Sequence, residues 1–199
     1  MNTPDKRAYI VHGWDGNSRE GWFLWLAQEL RKKGFDVTVL SMPDPGKPDI
    51  ERWVAYLKEI IPYPDTQSYF IGHSIGCQTI LRYLEALPAR VRIGGAVFVA
   101  GWTSLTNLES NEEKAIARPW IERLINFEKV RTHSTHFFAL FSENDPYVPR
   151  ENEHVFKKQL GAEIKREKNR GHFSGSDGVT RLPVILEKLL EWSQTPYGT

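Results

Sequence analysis

The pentapeptide Gly72-His73-Ser74-Ile75-Gly76 follows the apolar run Ser68-Tyr69-Phe70-Ile71 and precedes apolar residues at helical spacing, Cys77, Ile80, Leu81 and Leu84. A strand, a sharp turn carrying a serine and then a helix is the setting of a nucleophile elbow, and the chemistry it serves is acyl transfer through the serine hydroxyl. The turn has to hold Ser74 in a strained backbone conformation, and glycines two positions before and two after let the neighbouring chain come close. Glycine is common enough that a bare Gly-x-Ser-x-Gly arises in roughly one chain in fifteen of this length. The serine therefore needs partners.

Two follow in a suitable order. Asp145 lies in Ala139-Leu140-Phe141-Ser142-Glu143-Asn144-Asp145-Pro146, and His172 lies in Arg170-Gly171-His172-Phe173. The order Ser, Asp, His is the one in which elbow-type hydrolases present a triad. Each partner sits where a strand gives way to a loop, Thr135 to Ser142 for Asp145 and Glu163 to Glu167 for His172. Open α/β sheets bind ligands beyond the carboxyl ends of their strands, so three roles fall on three loops at one edge. In this arrangement neutral His172 takes the proton of Ser74, while Asp145 fixes the imidazole tautomer and stabilises the imidazolium. The oxyanion of the tetrahedral intermediate needs preorganised donors. The backbone N–H of Ile75 is one candidate, and an N–H of the loop His12-Gly13-Trp14-Asp15-Gly16, that of Trp14, is the second. Trp14, His73 and Trp102 are the candidate walls of the substrate pocket.

The elements that must position these residues alternate. Ala8 to Val11 reads as a buried strand, and Asn17 with Glu20 resembles a capping box opening a helix with Trp22, Trp25, Leu26 and Leu30 on one face, ended by Gly34. Phe35 to Leu40 is the next strand. Asp49 caps a helix carrying Ile50, Trp53, Val54, Leu57 and Ile61, which Pro62 and Pro64 stop. After the elbow helix, terminated by Pro88, come strands Ile93 to Val99 and Thr135 to Ser142, a helix Arg150 to Leu160, and a final helix with Leu182, Ile185, Leu186, Leu189 and Leu190. This alternation predicts a three-layer α/β/α sandwich with a mostly parallel sheet of about six strands. Gly101 to Ser134 is longer than an ordinary connection and holds a helix with Trp120, Ile121, Leu124 and Ile125. It reads either as a small cap over the site (101–134) or as a crossover helix after a long loop.

Composition frames the partners. The chain has 199 residues, 40% of them hydrophobic, a length that suits one domain, 1–199, with a sizeable core. Twenty-six basic residues against twenty-five acidic ones give a net charge of +1 without a basic cluster, so nucleic acid and anionic membranes are not expected partners. Met1 to Arg7 is polar and no stretch has the roughly 20 apolar residues that span a bilayer, which predicts a soluble, cytoplasmic protein. The single cysteine, Cys77, agrees with a reducing compartment.

Other reactive residues have plainer readings. His133 and His136 lack an acidic or cysteine companion at ligand spacing, so they read as solvated loop histidines and no metal is expected. His12 and His73 read as packing or orienting groups. Cys77, one turn past Ser74 on an apolar face, reads as an inert buried thiol. Asp65 and Asp177 fall outside the triad order.

The stretches Tyr9-Ile10-Val11-His12-Gly13, Gly72-His73-Ser74-Ile75-Gly76, Ser142-Glu143-Asn144-Asp145-Pro146-Tyr147-Val148-Pro149 and Gly171-His172-Phe173, with Gly178 and Leu182-Pro183, together resemble the small serine hydrolases of the retinoblastoma-binding hydrolase and YdeN type. The resemblance runs nearly end to end. It implies a compact α/β hydrolase with the triad Ser74, Asp145 and His172, little or no cap and no cofactor. The Leu-x-Cys-x-Glu motif tied to retinoblastoma-protein binding in the animal branch is missing, since the one cysteine lies in Ile75-Gly76-Cys77-Gln78-Thr79, so that interaction is not carried over. The expectation is a serine hydrolase of small carboxylic esters, with thioesters or amides as further substrates. The alternatives are a binding or regulatory protein that kept the fold without useful turnover, and acyl transfer to an acceptor other than water.

Overall fold

The structure, a computed structural model, describes residues 6–194. Its strands are β1 (Lys6–Val11), β2 (Phe35–Val39), β3 (Ser68–His73), β4 (Gly95–Val99), β5 (Phe137–Ser142) and β6 (Glu163–Glu167). They form one six-stranded sheet in the order β2-β1-β3-β4-β5-β6, and every pairing is parallel. β3, β4 and β5 are buried along their whole length, which is why they read as unbroken apolar runs. The edge strand β6 instead exposes Glu163 and Lys165, charges that discourage another strand from pairing there.

Among the described residues seven helices accompany the strands: α1 (Phe23–Lys32), α2 (Ile50–Ile60), α3 (Ile75–Ala86), α4 (Asn111–Glu122), α5 (Phe127–Arg131), α6 (Glu151–Val155), which runs on as a π-helical turn at Phe156–Leu160, and α7 (Pro183–Gln194), which follows the last strand. α1 packs beside α7, and α2 and α5 pack against α3, giving helices grouped on either side of the sheet. The three-layer α/β/α sandwich and its six strands agree with the sequence expectation.

Chain direction places the site. From β1 the chain steps outward to β2, then returns to the other side of β1 to build β3, so the loops after β1 and β3 diverge at a switch point. α3 starts in that crevice and is buried from Ile75 through Leu84. Removing Ile75, Ile80, Leu81 and Leu84 from water stabilises the fold by about 1.5–3 kcal/mol each. Close approach requires Gly76, where a β-carbon would lie 2.4 Å from Val11 O.

Some expected elements shift. No helix opens at Asn17: its side chain accepts from Arg19 N–H at 2.9 Å, Gly21 turns to φ 51°, and α1 begins at Phe23. Glu20 is thereby released from capping. Asp49 does cap α2, accepting from Arg52 N–H. Between 101 and 134 the main helix starts earlier than the apolar pattern suggested, because Ser110 and Glu113 form a reciprocal capping box, and Arg123 and Leu124 fall beyond its end. His133 and His136 are not solvated loop residues. His133 is fully buried with Nδ1 2.9 Å from Val91 O, and the half-buried His136 places Nδ1 3.1 Å from Gly94 O and stacks on Trp192. Both rings engage the backbone leading into β4. Among the described residues no helix is long and apolar enough to cross a membrane.

Candidate active site

Ser74 occupies the turn between β3 and α3 at φ 54°, ψ −121°, a conformation that costs a non-glycine residue of order 1–3 kcal/mol. It is held there by Ser74 N–H donating to Val99 O at 2.9 Å and by Cys77 N–H donating to Ser74 O at 2.9 Å. A β-carbon at Gly72 would lie 2.7 Å from Cys77 N, so this position has to be glycine for the turn to close. The N-terminus of α3 points at the same spot and favours negative charge there.

Asp145 and His172 come together as the order of the chain implied. His172 Nδ1–H donates to the Asp145 carboxylate, 2.9 Å from Oδ2 and 3.1 Å from Oδ1. The carboxylate is 3% exposed, and Oδ1 also accepts from Tyr147 N–H at 2.9 Å and Val148 N–H at 3.1 Å. Fixing the proton on Nδ1 leaves Nε2 as the acceptor of His172. Tyr147 packs edge-on against the imidazole with ring centres 5.3 Å apart.

Ser74 and His172 line one pocket of about 250 Å³, together with Trp14, His73 and Trp102. Among the described residues Ser74 Oγ makes no hydrogen bond to His172; it accepts instead from the indole N–H of Trp102 at 3.3 Å. Catalytic hydrogen bonds often tighten only with substrate present. The backbone N–H groups of Trp14 and Ile75 donate to no partner among the described residues, which leaves both open to an incoming oxyanion. The loop that carries Trp14 is fixed by His12, whose Nε2 accepts from Met42 N–H at 3.0 Å and whose Nδ1–H donates to Gly13 O at 2.7 Å. Burial holds the His12 pKa below its usual value, so the ring acts as a neutral strut.

His73 also stays neutral. Its Nε2–H donates to His172 O at 2.7 Å, and burial, reinforced by the nearby His172, lowers its pKa to about 3. The unfolded chain protonates this imidazole near pH 6.5, so between roughly pH 6.5 and 3 the unfolded state holds the extra proton. The contribution of His73 to stability is thus complete above pH 6.5 and is lost as pH falls, by up to about 1.4 kcal/mol per unit. Urea midpoints measured at intervals from about pH 7 down to about pH 4 should therefore decline less steeply in His73→Gln than in the unmodified protein. Parallel curves would refute this assignment.

Five further residues escaped the sequence reading. Asp177, set aside as out of order, shapes the histidine loop: Oδ2 accepts from His172 N–H at 2.9 Å, Ser174 N–H at 3.0 Å and Ser174 Oγ–H at 2.5 Å. Burial opposes its charge, but those hydrogen bonds prevail and hold the carboxyl below the usual range. A Ser-x-x-Asp turn right after the histidine was the available signal. Asn152 is fully buried and braces the loop after β4, with Oδ1 accepting from Thr103 N–H at 2.6 Å and Ser104 N–H at 3.2 Å. Leu105, Leu108 and Glu113 add a pocket wall from the segment after β4. Cys77 is buried, its Sγ–H donates to Val99 O at 3.4 Å, and burial raises its pKa, as suits an inert thiol.

A sequence model of the serine hydrolase family matches residues 8–191. The chain belongs to the serine hydrolase family. This serine hydrolase is 30% identical over 188 residues to the YdeN protein of Bacillus subtilis (strain 168), a match covering 94% of the present chain and 96% of that protein. It is 27% identical over 195 residues to the serine hydrolase RBBP9 of Rattus norvegicus, covering 95% and 98% of the two chains. The crystal structure of the B. subtilis ydeN gene product superposes with a TM-score of 0.87 at 28% identity, over 96% of this chain and 100% of the other. The family resemblance drawn from the motifs is thus borne out.

Proposed function

We propose that the protein is a carboxylesterase for small acyl esters, working through Ser74, His172 and Asp145 and an acyl-enzyme intermediate. The observation that carries this reading is the His172 Nδ1–Asp145 hydrogen bond at 2.9 Å beside a serine held in a strained elbow on the same pocket. Ser74 Oγ attacks the ester carbonyl as its proton passes to His172 Nε2, and the Trp14 and Ile75 N–H groups receive the oxyanion. The tetrahedral adduct collapses, its C–O bond to the alcohol breaks, and the alcohol leaves with the proton from His172. Water then repeats the sequence on the acyl-enzyme and regenerates Ser74. No step calls on a metal or cofactor.

Size and charge narrow the substrate. A pocket of about 250 Å³ falls just below the range of about 300–1,000 Å³ common for drug-sized ligands, which favours short acyl chains. Asp15, Glu20 and Glu113 line it, and none of the described lining residues is lysine or arginine. Anionic substrates meet like charge there, so neutral esters are preferred. The stretch holding Leu105, Leu108 and Glu113 serves as a minimal cap on a single domain, and the single cysteine suits a cytoplasmic setting.

The test is kcat/KM on p-nitrophenyl acetate, butyrate and palmitate, and on an ester whose acyl chain ends in a carboxylate. Acetate and butyrate should be turned over well, palmitate poorly. The charged ester should lag its neutral counterpart by about tenfold or more, with the gap closing as salt is raised. No turnover of any ester by the folded protein would favour a binding protein, and equal rates on charged and neutral esters would remove the charge argument.

A further inference from the structure

Among the described residues five indole N–H groups have hydrogen bonds, and four go to backbone carbonyls: Trp14 to Gly46 O, Trp22 to Phe173 O, Trp53 to Pro43 O and Trp120 to Pro48 O. This is how buried tryptophans ordinarily satisfy their one polar atom. Trp102 differs. Its Nε1–H donates to Ser74 Oγ at 3.3 Å.

The loop bearing Trp102 is immobilised from three sides. Gln78, on the first turn of α3, donates from Nε2 to Trp102 O at 2.8 Å. Asn152, at the start of α6, fixes the next two residues through both ends of its amide, donating from Nδ2 to Ser104 O at 3.0 Å and accepting from Thr103 N–H at 2.6 Å. Upstream, Ala100 is held at φ 48°, and Gly101 passes so close to Phe156 that a β-carbon would lie 2.6 Å from its ring. Strain of this kind persists only where the surroundings over-determine it. Trp102 itself is 1% exposed, so its N–H cannot turn to water instead. A rigid, desolvated donor thus faces the nucleophile oxygen.

We propose that Trp102 is a positioning residue for the nucleophile, which deepens the triad reading above and rests on it. By donating to Ser74 Oγ, the indole occupies one lone pair and sets the hydroxyl rotamer, leaving the O–H proton free to reach His172 Nε2. As that proton leaves and the Oγ–carbonyl bond forms, negative charge passes through Oγ. The same happens in reverse during deacylation, when the carbonyl–Oγ bond breaks and Oγ takes its proton back from His172. A donor fixed on Oγ stabilises both moments and contributes nothing to substrate binding.

The experiment compares wild type with Trp102→Phe, which keeps an apolar ring and removes the N–H. Steady-state kinetics on p-nitrophenyl acetate, the rate of fluorophosphonate labelling and Tm are measured for both. Turnover and labelling of the wild type come first: without them the triad reading itself fails. Given them, Trp102→Phe should lose about 10- to 100-fold in kcat and in labelling rate, as expected for one hydrogen bond to a developing charge, with KM little changed. Wild-type kcat and labelling, or a raised KM with unchanged kcat, would make Trp102 a pocket wall only and overturn the proposal. Should Trp102→Phe fail to fold, indole ¹⁵N–¹H spectra of wild type and Ser74→Ala decide. Loss of the acceptor should move one indole resonance upfield, and an unchanged set of indole resonances would overturn the proposal.

Discussion

Replacing Ser74 by alanine is expected to lower kcat on p-nitrophenyl acetate by at least about 10⁴-fold while leaving the fold intact. The size of the effect follows from what Oγ alone would supply in the proposed mechanism: the atom that enters the acyl-enzyme and the proton that His172 takes up. Losses of about 10⁴ to 10⁶ accompany removal of one member of such a unit, and the residue of activity comes from the oxyanion donors and binding. Those donors, the N–H groups of Trp14 and Ile75, are main-chain and survive the substitution. The elbow should persist, because alanine keeps the φ 54° backbone, whose hydrogen bonds to Val99 and Cys77 involve backbone atoms, but the buried Trp102 N–H loses its acceptor, so stability should fall by about 1–3 kcal/mol. Thermal unfolding and steady-state rates check both halves. A Ser74→Ala variant within tenfold of wild-type kcat would place the nucleophile elsewhere.

Asp145→Asn should be nearly as damaging, by up to about 10⁴-fold in kcat at neutral pH. Asparagine is close to isosteric, and its Oδ1 can still accept from Tyr147 and Val148 N–H, so the turn that holds it is preserved. What changes is the face toward His172. An amide NH₂ there donates where the carboxylate accepted, so the imidazole must turn its unprotonated nitrogen to Nδ1 and carry the proton on Nε2, where it can no longer take the proton of Ser74. The positive charge of the imidazolium also loses its counter-charge. KM should change little, because Asp145 lies behind His172 and does not line the pocket. A variant retaining a tenth or more of wild-type kcat would show that Asp145 is dispensable as orienter.

The candidate site was legible in the sequence where chemistry forces residue type and order. Gly72 and Gly76 announce the elbow because any side chain there collides with backbone, and the Ser74, Asp145, His172 order survives in the pairing of Asp145 with His172. The central strands were equally plain, since both faces of β3, β4 and β5 are buried and leave no polar interruption. The misreadings have a common cause. Asn17 and Glu20 match a capping pattern, yet Gly21 at positive φ breaks the turn, and the acidic side chain ends up lining the pocket instead. Asp177 is marked only by the Ser174-x-x-Asp177 spacing of its turn, while Asn152 and Gln78 act through backbone groups of loops distant in sequence, and nothing in residue type or spacing marks those partners. The hydrogen bond from Trp102 to Ser74 is of the same kind, joining an indole and a hydroxyl 28 residues apart through the fold alone.

The central claim is that Ser74 is a working nucleophile activated by His172. The most direct test is intact-protein mass after exposure to a fluorophosphonate probe, with wild type, Ser74→Ala and His172→Ala treated in parallel. The account predicts a single adduct on wild type, none on Ser74→Ala and little or none on His172→Ala over the same time, because the probe reports serine activation rather than exposure. A folded wild type that takes up no adduct, or an adduct that persists in Ser74→Ala, would contradict it.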